Sequence, residues 1–145
     1  MMSEYSALKN RHQQEVNDFP FFFAFSKEQF EKGMAEFGLT PNDTDKIYKY
    51  GSTGGFYLRT DAPRLKEMFD RHDKEKQEAL AADTKGNGYI YQMFLYELAN
   101  HEYGYTGDIT DTLDALGLTE EEIANSKPLL RGLNKAIKEI RRREK

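Results

Sequence analysis

The chain has no cysteine, no tryptophan and only 4 prolines, and it has no long apolar run. Without cysteine there is no disulfide, no thiolate nucleophile and no zinc site built on sulfur; this suits a reducing compartment, so a cytoplasmic setting is expected. The densest apolar stretch, residues 19–25, falls far short of the roughly 20 residues a membrane helix needs. The first 14 residues are polar and mixed in charge, so neither an anchor nor a targeting segment is expected. With tryptophan missing, 9 tyrosines and 10 phenylalanines must supply the aromatic part of the core.

One more absence is local. Between Lys85 and Lys127 there is no lysine or arginine at all, while eight carboxylates fall there: Glu97, Glu102, Asp108, Asp111, Asp114, Glu120, Glu121 and Glu122. The last twenty residues reverse the sign, with eight lysines and arginines against Glu139 and Glu144. A net charge of −4 therefore conceals an acidic block followed by a basic one. A chain of 145 residues fits one compact domain able to bury about 70% of its unfolded surface, and a single domain over 1–145 is expected, with the tail 141–145 frayed.

The periodicity predicts a mostly helical α+β fold. Tyr5, Leu8, His12 and Val16 share one face of a helix over 5–16, which Pro20 ends. The aromatic run 21–25 is too short for a helix and reads as a buried strand, with Pro20 at its start or edge. Ser26 and Gln29 form a capping box for a helix carrying Phe30, Met34 and Phe37, stopped by Gly38. Residues 46–50 and 56–59 alternate about the glycine-rich turn 51–55, which predicts a hairpin and, with 21–25, a small three-stranded antiparallel sheet. A long charged helix capped by Thr60 or Asp61 is expected to end near Asp83, and a second is expected over 90–103. Asp108 caps a helix over 109–116 that Gly117 terminates, Thr119 with Glu122 boxes a short one, and Leu129, Leu133, Ala136, Ile137 and Ile140 line a terminal helix.

Several motifs carry chemistry in part. Asp83, Asn87, Gly88 and Ile90 match positions of a calcium loop, but Lys85 and Phe94 stand where carboxylates belong, so a glycine-rich turn is the better account. The corner at Gly117 resembles a helix-turn-helix, yet its second helix would set Glu120, Glu121 and Glu122 beside phosphates with no local cation, which argues against DNA. The terminal helix, with Lys127, Arg131, Lys135, Lys138, Arg141, Arg142, Arg143 and Lys145, is the other nucleic-acid candidate; a solvated basic face that pairs with the acidic block accounts for it better. Glu97 and His101, four apart on a helix, have the spacing that orients an imidazole, and Glu102 and Asp108 are near enough in sequence to join a catalytic group. A metal there would draw on His72 and Asp73 as well as His101. No nucleophile or cofactor motif accompanies them, and no cofactor is expected.

Four segments, Asp43-Thr-Asp-Lys-Ile-Tyr48, Met68-Phe-Asp-Arg-His72, Phe94-Leu-Tyr-Glu-Leu-Ala-Asn-His-Glu-Tyr103 and Gly107-Asp-Ile-Thr-Asp-Thr-Leu-Asp-Ala-Leu-Gly117, resemble a family of small bacterial and phage proteins of unknown function. The resemblance implies a phage or mobile-element accessory protein, in a class whose members bind and block host machinery. The leading expectation is thus a non-catalytic inhibitor with an acidic surface of Glu102, Tyr103, Tyr105, Asp111, Asp114, Glu120 and Glu121, meeting a basic protein partner. The alternatives are a small, metal-assisted hydrolase centred on His101 and nucleic-acid binding through the terminal helix.

Overall fold

A computed structural model describes residues 3–144, among which eight α-helices and a three-stranded antiparallel sheet make an α+β fold. Contacts sort the chain into two compact units, one comprising Gln14–Asp73 and the other the segments up to Gln13 and from Lys74 onward. The boundaries fall inside α1 (Glu4–Asp18) and α3 (Ala62–Ala82).

The unit over Gln14–Asp73 carries the sheet. Strands β1 (Phe22–Phe23), β2 (Ile47–Tyr50) and β3 (Gly55–Leu58) lie in the order β1-β3-β2, with Phe22 opposite Phe56 and Lys49 opposite Phe56 on the other side. Gly51 and Gly54 adopt φ of 53° and 83°, the left-handed conformations that the β2–β3 hairpin needs. The aromatic run is not the continuous buried strand its composition predicts: only Phe22 and Phe23 pair with β3, and while Phe22 is 5% exposed, Phe23 and Phe25 are 52% and 77% exposed. The pleat is the reason, because successive side chains point to opposite faces whatever their hydrophobicity.

Phe22 faces α2 (Lys27–Glu36), meeting Phe30, Phe37 and Phe56 at centroid distances of 5.8, 5.1 and 5.1 Å. Gly33 permits this approach, since a Cβ there would stand 2.1 Å from the ring. Phe21 stacks on Tyr50 at 4.6 Å and joins a cluster around Phe19, Leu65 and Met68. Ser26 Oγ accepts from the Gln29 amide as predicted, but Gln29 Oε1 accepts from the Phe25 N–H rather than from that of Ser26, satisfying a donor beside β1. The expected cap on α3 is replaced by a 3-10 turn, Arg59–Asp61, that leads directly into the helix, and Asp61 pairs with Arg64 at 3.3 Å.

The second unit is all helical. Its centre is α4 (Tyr89–Asn100), whose Tyr89, Ile90, Met93, Phe94 and Leu98 are each at most 4% exposed and pack with Leu133, Ala136 and Ile140 of α8 (Lys127–Arg143). Two glycines allow the close approach: a Cβ on Gly132 would stand 2.4 Å from Ile90, and one on Gly86 would stand 2.0 Å from the Pro128 carbonyl oxygen. The single helix predicted over 90–103 is two, because Glu102 adopts φ 57° and ψ 34°, breaking α4 from the one-turn α5 (Tyr103–Thr106). Gly107 ends α5, and α6 (Thr110–Leu116) ends at Gly117, with φ of 70° and 68°. The predicted capping box of Thr119 and Glu122 is present in full on α7 (Glu120–Ala124). α8 runs to Arg143, with Arg142 and Arg143 both paired to Glu139; Lys145, the last residue of the tail expected to fray, lies outside the described residues. No described helix is long and apolar enough to cross a membrane.

Candidate functional site

On α4, helical spacing brings His101 Nε2 within 3.4 Å of Glu97 Oε2, as the sequence predicts. The surroundings are less open than an active site requires. Glu97 is 2% exposed, and its Oε1 accepts both the Tyr5 hydroxyl and the Lys9 ammonium at 2.8 Å. Its backbone carbonyl accepts from Thr112 Oγ1 at 3.4 Å, and Thr112 is 0% exposed. Burial acts to raise the Glu97 carboxyl; the hydrogen bonds from Lys9 and Tyr5, with the charges of Lys9 and His101, outweigh it and hold the group below its ordinary value. Tyr5 moves the other way, raised first by burial and then by its bond to Glu97, and so remains a donor. Tyr89 is likewise pushed up to about 12, by burial and then the charge of Glu4. The ionised carboxylate thus acts as a fixed acceptor that ties α1 to α4.

Among the described residues, neither Glu102 nor Asp108 bonds to this pair. Glu102 is exposed on its left-handed backbone, and Asp108 turns to its own loop, accepting from Thr110 Oγ1 at 2.7 Å and from its N–H at 2.9 Å. Those bonds keep Asp108 below the usual carboxylate range. His72 and Asp73, offered as metal ligands, belong to the sheet-bearing unit, where His72 Nε2 lies 3.3 Å from Glu15 Oε1 and Asp73 is exposed. Among the described residues no group of three or more histidines and carboxylates is placed to hold a metal. Asp83, first residue of the calcium-loop look-alike, instead accepts the N–H groups of Gly86, Gly88 and Ile90 at 3.0, 3.1 and 2.9 Å, closing the turn into α4. Two open clefts, of about 500 and 620 Å³, share Ala99 and Arg143, and His101 is not among the described residues lining either.

The acidic block divides cleanly. Glu97 is buried, Asp108 and Glu122 serve helix starts, and Glu102, Asp111, Asp114, Glu120 and Glu121 are exposed with neither an ion pair nor a hydrogen bond from a side chain among the described residues. Tyr105, at 92% exposed, stands with them; Tyr103 does not, because it is 7% exposed and its hydroxyl accepts from Arg141 at 3.4 Å. Tyr103 opens α5 directly after the left-handed Glu102. On α8, Lys127, Arg131, Lys135 and Lys138 are all exposed and, among the described residues, none is paired with a carboxylate, so these four cations do not pair with the acidic block there.

Sequence reasoning missed Tyr5, Lys9 and Thr112. Tyr5 and Lys9 sit one turn apart on α1, but their partner is 92 and 88 residues away, and no local spacing signals a pairing of that range. No curated protein and no solved structure matches the chain. Residues 4–139 match a family of unknown function, DUF7659, and the chain belongs to it.

Proposed function

We propose that this member of the family is a non-catalytic binding protein whose acidic surface, formed by Glu102, Asp111, Asp114, Glu120 and Glu121 with Tyr105, meets a basic protein partner. One observation carries the reading: those five carboxylates are exposed and form no ion pair among the described residues, while the other three of the block serve the fold. An unneutralised field of one sign steers an oppositely charged partner and disfavours nucleic acid at the same place. An exposed tyrosine adds a rigid aromatic contact of the kind that anchors interfaces. The wider role we assign is that of a cytoplasmic accessory protein of phage or mobile-element origin that occupies the nucleic-acid-binding face of a host protein.

The hydrolase reading draws less support, since Glu97, paired with His101, is 2% exposed and its Oε1 is taken by Tyr5 and Lys9. Affinity capture from bacterial lysate at low salt, with the retained proteins identified, tests the proposal. A basic protein should be retained by the wild type and lost both from Asp114→Lys with Glu120→Lys and at high salt. A retained protein indifferent to those two substitutions, or no retained protein, refutes it.

A further inference from the structure

The exposed face of α8 has the complementary character. Lys127, Arg131, Lys135 and Lys138 recur at helical spacing, opposite the buried side formed by Gly132, Leu133, Ala136 and Ile140. At 1.5 Å per residue this stripe is about 16 Å long. Lys135 also lies over the Tyr91 ring at 4.4 Å, which fixes its place on the surface. Leu130, 42% exposed, stands beside the stripe as an apolar contact.

Acidic and basic fields occur in the same compact unit, and α7 packs against α8. A nucleic-acid backbone seated on the stripe would therefore also feel the negative charge of α7, whose Glu120 and Glu121 are exposed. A partner that bears both signs in the same arrangement meets no such conflict. We propose that this partner is a second copy of the chain, with the basic face of α8 on each copy docking onto the acidic α5–α7 surface of the other.

The inference rests on the reading of the acidic surface as a binding surface and names an occupant for it. A two-fold arrangement satisfies both patches at once, since residue i of one copy meets residue j of the other and the reverse, and the assembly closes at two copies. Tyr105 and Leu130, both exposed, offer non-polar contacts, and the charges set register and salt sensitivity. A dimer of this kind covers the acidic surface until a more basic partner displaces one copy.

Sedimentation velocity on the full chain at about 50 mM and about 500 mM NaCl tests it, because the two conditions bracket strong and weak charge screening. The wild type should be a dimer at low salt, with affinity reduced about tenfold or more at high salt. Arg131→Glu with Lys135→Glu, and separately Asp114→Lys with Glu120→Lys, should each be folded monomers by circular dichroism, and mixing the two variants should restore a dimer. A wild type that is monomeric at low salt, a dimer indifferent to salt, or a mixture that stays monomeric overturns the inference. So does a monomer whose α8 face binds a labelled DNA duplex and loses it on Arg131→Glu with Lys135→Glu, which would assign the stripe to nucleic acid. If the chain is monomeric yet captures a basic protein through Asp114 and Glu120, only the dimer fails; if it dimerises and captures nothing, the heterologous partner fails instead.

Discussion

Replacing Glu97 measures how far one buried carboxylate holds α1 to α4. In Glu97→Gln the amide oxygen still accepts from Tyr5, but the bonds from Lys9 and Tyr5 lose their ionised acceptor, and the difference between charged and neutral hydrogen bonds puts the cost at about 1 kcal/mol. Glu97→Ala goes further: the Tyr5 hydroxyl, on a residue 8% exposed, loses its acceptor, at about 1–3 kcal/mol. Lys9 contributes less, because its side chain is 45% exposed and water replaces the lost partner. With the space left behind, Glu97→Ala should lose about 3 kcal/mol, lowering the melting temperature by about 6–12 °C for a chain of this size.

Urea denaturation at neutral pH, run with Tyr5→Phe and the double variant, isolates the Tyr5–Glu97 coupling at about 1 kcal/mol. Acid provides a second readout. Because the folded-state value of Glu97 lies below its unfolded one, the unfolded chain takes up the proton first as pH falls. Its stabilisation is therefore complete above the unfolded glutamate value, about 4.3, and is lost as pH drops through the lower folded value, so wild type and Glu97→Gln should converge in acid. A Gln variant as stable as wild type at neutral pH, together with an Ala variant within about 1 kcal/mol, would refute the assignment.

Gly132→Ala should destabilise despite alanine's better helix propensity: the new methyl would stand 2.4 Å from Ile90 Cγ2 and 2.8 Å from the Gly86 carbonyl oxygen. Overpacking of about 1–3 kcal/mol exceeds the roughly 1 kcal/mol gained, and thermal melting reads the sign. Asp83→Ala removes the acceptor of three N–H groups, two in the turn and one in the first turn of α4, and should cost about 1–2 kcal/mol in urea, with Asp83→Asn losing less. Glu102→Gly relieves a left-handed non-glycine backbone and should be neutral or stabilising by up to about 1 kcal/mol; a clear loss would show that the Glu102 side chain supports the α4–α5 break.

What could be read in the sequence is what local chemistry decides. Ser26, Thr119 with Glu122, and Gly38 and Gly117 mark helix ends because a cap or a left-handed residue acts within a few positions of itself. The hairpin was legible for the same reason. The break at Glu102 was not, because a glutamate gives no local signal for positive φ; burial of Tyr103 accompanies that conformation only in the folded chain. In residues 21–25 every position but Ala24 is phenylalanine, so hydrophobicity could not distinguish the face of Phe22 from that of Phe23. Glu97 with His101 was legible as an i, i+4 pair, whereas Tyr5 and Lys9, which convert the pair into a buried tie, arrive from the far end of the chain.

The division of the acidic block also determines which substitutions test binding and which test folding. Asp108 and Glu122 satisfy N–H groups at the starts of α6 and α7, so reversing their charge removes an acceptor and places a cation at a helix N-terminus, where the dipole opposes it. Asp114 is exposed and in the last turns of α6, near a helix C-terminus, where the dipole favours a cation, so Asp114→Lys should leave the fold intact or slightly improve it. A loss of partner binding in Asp108→Lys is therefore uninformative without a stability measurement, whereas the same loss in Asp114→Lys reports on the surface itself. Equal effects of the two on binding, with equal stability, would mean that the field of the whole segment matters rather than its exposed carboxylates.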